Sequence, residues 1–145
     1  MDKLNRQILA EKENVDIALD NLKNAMARTD KSIIELAAIG TFLHNIYNGI
    51  ENILKQILYA KSVDIPKSDT WHKDLLNLSV SIGVISEDLS DKLYEYLSFR
   101  HFFVHSYGFM LVEFHLEDLA NNIPDIWSQF LLEIQNLLNE LELNG

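Results

Sequence analysis

Helix breakers are scarce in this chain, and their scarcity constrains its fold more than any other feature. Among 145 residues there are five glycines and two prolines: Gly40, Gly49, Gly83, Gly108, Gly145, Pro66 and Pro124. A β-sandwich or barrel needs a turn signal about every ten residues; so few breakers point instead to a few long helices. Apolar residues make up 48% of the chain and charged ones 23%, which suits a globular protein and is too apolar for disorder. The length predicts one domain over residues 1–145, with a core large enough to need no staples. Cysteine is absent, which excludes disulfides, thiolate metal sites and cysteine nucleophiles.

Periodicity divides the chain into about five helices. From Lys3 to Arg28 the residues Leu4, Ile8, Val15, Leu19, Leu22 and Met26 form one apolar stripe. Ser32 with Glu35 three residues on is a capping-box start for a second helix over Ile33–Lys61. That helix is apolar on more than one side, so it is either the centre of a bundle or packs one face on another subunit. Gly40 and Gly49 inside it each cost about 1 kcal/mol relative to alanine, and close helix approach is the expected compensation. A loop around Pro66 leads to a third helix that starts near Thr70 and ends before Gly83. Ser86, Glu87 and Asp88 open a fourth, expected to end near Gly108. A turn over Glu117–Ala120 and a last helix from about Pro124 to Leu141 complete an all-α, up-and-down bundle.

The formal net charge is −10, which argues against a protein that coats nucleic acid or membranes nonspecifically. The first residues carry no apolar signal core, and no window has the roughly 18 uncharged apolar residues of a membrane span. A cytoplasmic location without membrane contact is the expectation.

The charges are unevenly placed. Arg100 is the last basic residue, and no acid occurs between Glu95 and Glu113. This acid-free window makes one locally cationic spot, holding Arg100, His101 and His105, which suits an anionic ligand. The plain alternative is that Arg100 pairs with a carboxylate and the histidines fill corners of the core. Arg100 and His105 are five residues apart, so on an ideal helix they point about 140° away from each other. They converge only if the helix loosens near Ser106-Tyr107-Gly108 or if two copies face each other across an interface. His101 and His105 also have a two-histidine metal spacing. However, Phe102 stands where a zinc protease needs glutamate, and the placement of His115 or Glu113 does not suggest a third ligand. There is no serine nucleophile elbow and no glycine-rich phosphate loop, so neither metal nor cofactor is expected.

Arg100-His101-Phe102-Phe103-Val104-His105-Ser106-Tyr107 reads as Arg, four residues, His, any residue, Tyr. This resembles the signature of HEPN-domain ribonuclease toxins of the HepT type, which are partnered by a minimal, MntA-like nucleotidyltransferase antitoxin. Tyr47-Asn48-Gly49-Ile50-Glu51-Asn52-Ile53-Leu54 and Trp71-His72-Lys73-Asp74-Leu75-Leu76 look like two further stretches of that family, and the pattern spans most of residues 33–112. The resemblance implies a HEPN-like homodimer whose shared cleft is lined by the signatures of both chains. It also implies metal-independent cleavage of RNA, with tRNA and mRNA as candidate substrates.

In that chemistry the 2′-OH is the nucleophile, and the protein moves protons and stabilises charge. Arg100 is then the phosphate clamp and His105 the general acid/base. Tyr107, which by itself reads as a tyrosine packed before a capping glycine, becomes by resemblance the residue that the antitoxin adenylylates. His101, His72, Lys73, Asn48 and Glu51 are candidates to line the cleft, with Asn48 and Glu51 placed by the resemblance to orient Arg100. Two alternatives remain open: a non-catalytic substrate- or nucleotide-binding partner subunit of a small nucleotidyltransferase, and a purely structural dimeric bundle.

Overall fold

The computed structural model describes residues 2–105 and 113–144, with the side chains of His105 and of residues 113–115 and 143–144 outside that description. Five helices follow one another: α1 Asp2–Met26, α2 Ile33–Ala60, α3 Trp71–Ser81, α4 Glu87–His105 and α5 Glu113–Asn144. No strand occurs among the described residues. The Gly108 expected to end α4 lies outside them.

The capping box at α2 is formed on both sides. Ser32 Oγ accepts from the Glu35 amide at 3.4 Å, and the Glu35 carboxylate accepts from the Ser32 amide. From there α2 runs 28 residues and touches every other helix. Ile39, Leu43, Ile46, Ile50, Ile53, Leu54, Ile57 and Leu58 are all buried along it. The two-sided apolar pattern is therefore met within one chain: α2 is the central helix, and its apolarity by itself requires no second subunit.

Both α2 glycines mark close approaches. A Cβ on Gly49 would lie 2.3 Å from Val15 Cγ2 of α1, and one on Gly40 would lie 2.7 Å from Phe103 Cε1 of α4. The contacts also give the helix directions. Val15 meets Gly49 while Glu11 accepts from Asn52, so α1 and α2 are antiparallel. Phe103 meets Gly40 while Arg100 meets Asn48, so α2 and α4 are antiparallel too. Ser86 is bonded to Glu133, Lys92 to Gln129 and Tyr96 to the Leu119 carbonyl, so α5 runs against α4. Four long helices thus alternate in direction, and the short α3 braces α2 against α4. Gly83, with φ of +79°, supplies the left-handed turn that ends α3.

The last helix departs from expectation. Instead of a turn at Glu117–Ala120 and a fresh start at Pro124, α5 is continuous from Glu113, with Pro124 inside it. An interior proline costs about 3 kcal/mol, because it leaves a carbonyl without its amide and crowds the preceding turn. Packing outweighs that cost. Leu116, Ala120, Ile123, Trp127, Phe130 and Ile134 form one unbroken buried stripe across the proline, and each large member is worth about 1.5 to 3 kcal/mol when buried. Trp127 Nε1 also donates to Asp16 Oδ1 at 3.0 Å, tying α5 to α1.

Candidate functional site

On the apolar α2, His44, Tyr47, Asn48 and Glu51 fall at i, i+3, i+4 and i+7, the spacing of one helix face. The α4 end that carries the signature packs against this face. Arg100 Nε donates to Asn48 Oδ1 at 3.2 Å. Among the described residues no carboxylate forms a salt bridge with Arg100. The partner that the described residues offer is a neutral amide, which orients the guanidinium without cancelling its charge. Phe103 packs its ring on Gly40 and beside the rings of His44 and Phe99, at 5.8 and 5.6 Å, fixing α4 at this level.

The contact with Arg100 determines the rest of the line. Since Arg100 Nε is a donor, Asn48 turns its oxygen toward it, and its Nδ2 faces His44 Nε2 at 3.0 Å. That nitrogen must accept, so the proton of the neutral His44 ring sits on Nδ1, which is buried without a hydrogen-bond partner. Burial, with the Arg100 charge second, lowers the His44 pKa below 6.5, while Glu51 pulls it the other way. A neutral His44 is the form that holds Asn48 in place. His44 was not singled out from the sequence, although its place four residues before Asn48 was the available signal.

Glu51 is buried, at 2% exposure. Both of its oxygens accept from His72 Nδ1 of α3 at 2.9 Å. The structure therefore separates the two residues expected to orient Arg100: Asn48 touches it, whereas Glu51 is taken up by His72. The reason is register, since Glu51 lies three residues beyond Asn48, on the α3 side of the face. Beside it the buried Tyr47 hydroxyl is held protonated by burial and by the Glu51 carboxylate. The His72 ring packs tilted against Trp71, with centroids 3.5 Å apart, and Lys55 lies over the Trp71 ring. Lys73 is directed to the Tyr94 ring at 6.0 Å and not to Arg100.

His101 is exposed next to Arg100. The backbone is helical through His105, the last residue of α4, and residues 106–108, where loosening is expected, lie outside the described residues. The side chain of His105 and the whole of Tyr107 lie outside the described residues. Among the described residues no three of His, Asp and Glu are grouped to hold a metal ion. No described helix is long and apolar enough to cross a membrane.

A protein-family model described as "HepT-like protein" matches residues 38–141, which include the α2 line, α3, α4 and most of α5. The chain belongs to the HepT-like family. Of curated proteins and solved structures, none matches. The matched span of this HepT-like chain begins two residues before Gly40 and covers Arg100, His105 and Tyr107.

Proposed function

We propose that this HepT-like protein is a metal-independent endoribonuclease toxin of a toxin–antitoxin pair. One observation carries the reading: Arg100 is aimed by the neutral amide of Asn48, which orients a guanidinium and leaves its charge intact for a phosphate. An always-charged, fork-shaped guanidinium suits the charge that grows on a phosphate under attack. His105 stands five residues on and acts as general acid or base. In the reaction the 2′-oxygen forms a bond to phosphorus and gives up its proton to a base. The 5′-oxygen of the next nucleotide then leaves and takes a proton from an acid, so the product carries a 2′,3′-cyclic phosphate.

Two proton-transfer groups are needed, and the chain offers one His105. A homodimer supplies the second, and also lets Arg100 of one copy meet His105 of the other despite their divergence on one helix. Ile33 and Ile34 at the start of α2 and Val104 near the end of α4 are exposed and are available to such an interface. The partner is a minimal nucleotidyltransferase that adenylylates Tyr107, adding a negative phosphodiester and bulk two residues from His105.

Expression in a bacterium tests this directly. The wild type is expected to arrest growth and fragment RNA, and His105→Ala to do neither. Tyr107→Phe is expected to stay toxic beside the antitoxin. Normal growth with intact RNA on wild-type expression, or equal toxicity of His105→Ala, contradicts the assignment; silencing of Tyr107→Phe contradicts the modification.

A further inference from the structure

Next to the α4 contact, the seam between α1 and α2 opens into a trough of about 320 Å³, within the range of small-ligand sites. Its floor is kept low by Val15, Ala18 and Gly49, where no α2 side chain rises. Its walls are lined with amides: Asn14 and Asn21 from α1, and Asn45, Asn48 and Asn52 from α2. Asn52 donates to Glu11 and Asn48 is engaged by Arg100 and His44. Asn14, Asn21 and Asn45 are exposed and make no side-chain hydrogen bond among the described residues. Phe42, half-buried, forms one end.

We propose that this trough takes an unpaired nucleobase of the strand whose phosphate is held by Arg100. For the identity of that strand the inference rests on the ribonuclease reading. The chemistry of the lining selects the ligand. No lysine or arginine lines the trough, and Glu11 does, so a phosphate backbone is excluded from it. Carboxamides carry both donors and acceptors without charge, as base edges do, and asparagine pairs with adenine through two hydrogen bonds. An aromatic end wall offers a stacking surface. A base in a stem is stacked on both faces and held in its pair, so only an unpaired, splayed-out base can enter the trough, which selects single strands over stems. Asn48 links the two sites: it lines the trough and accepts from Arg100, so a base in the trough and a phosphate on Arg100 lie on either side of one residue.

The test uses uncleavable 2′-O-methyl oligonucleotides, single-stranded homopolymers and a hairpin. Binding is measured to the full-length wild type and to Asn14→Ala/Asn45→Ala, alongside RNA cleavage and sedimentation. Both substituted residues are exposed, so folding is not at risk. The double variant is expected to bind single strands roughly ten-fold more weakly, as the loss of two uncharged hydrogen bonds implies, and to lose preference among bases. The hairpin is expected to bind the wild type more weakly than single strands do. Unchanged affinity and base preference in a variant whose parent still cuts RNA overturn the trough and leave the ribonuclease standing. Wild-type binding that weakens in the variant, without any cutting, supports the trough and removes the ribonuclease. A change of oligomeric state in place of affinity overturns the proposal and makes the trough a subunit interface. A wild type that neither binds nor cuts overturns both.

Discussion

At the scale of the residue, the site depends on how each polar group on α2 is satisfied. Asn48 spends its oxygen on Arg100 and its amide on His44, so a change at His44 reaches Arg100 without touching it. The lowered His44 pKa also gives stability a sign with pH. As pH falls through 6.5 the unfolded chain takes up a proton at this histidine before the folded one does, so folding weakens on the acid side. Urea midpoints at pH 7.5 and 5.5 are expected to fall further for the wild type than for His44→Gln; equal falls would remove His44 from this role. Glu51 and His72 form the second pair. His72→Ala leaves the buried Glu51 carboxylate without its donor, and about 1 to 3 kcal/mol of stability is expected to be lost, as for a buried acceptor left unsatisfied. Thermal or denaturant unfolding reads that loss. From sequence alone Asn48 and Glu51 had equal claims on Arg100. Only the register of α3 against α2 gives Glu51 to His72, and register between elements is not written in spacing.

At the scale of the element, glycine and proline follow different rules. Gly40 and Gly49 were legible in the sequence, because a glycine inside a strongly apolar helix has few reasons to be there except close approach. Gly40→Ala is expected to push Phe103 off α2 and to cost about 1 to 3 kcal/mol, the range for overpacking a filled site. Because Phe103 lies on the same helix as Arg100, cleavage is expected to fall as well. Unfolding curves and turnover of the same preparation check both, and an unchanged Tm contradicts the packing. The capping box at Ser32 and the starts of α3 and α4 were readable for the same local reason. Pro124 was not. It marks a helix start by local rule and is overridden by the buried stripe from Leu116 to Ile134, a tertiary effect that dominates once both halves of α5 face one core. The line of His44, Asn48 and Glu51 lay within reach, since polar residues at helical spacing on an apolar helix require partners.

At the scale of the whole molecule, a net charge of −10 and a ribonuclease are compatible only if RNA is gripped locally. At the described site one always-charged group, Arg100, stands beside the uncharged amide of Asn48. Affinity for single-stranded RNA is therefore expected to depend weakly on salt. At about −0.7 per phosphate neutralised, a log–log slope shallower than about −2 corresponds to two or three phosphates. A steep slope would indicate a broad electrostatic contact that these positions do not supply.

Purified protein incubated in EDTA with an RNA oligonucleotide and its DNA counterpart, as wild type, Arg100→Ala and His105→Ala, tests the proposed activity most directly. Cleavage of RNA alone, by the wild type alone, leaving a 2′,3′-cyclic phosphate, is the predicted result. Equal cutting by all three proteins, or cutting of DNA at the rate of RNA, would contradict it.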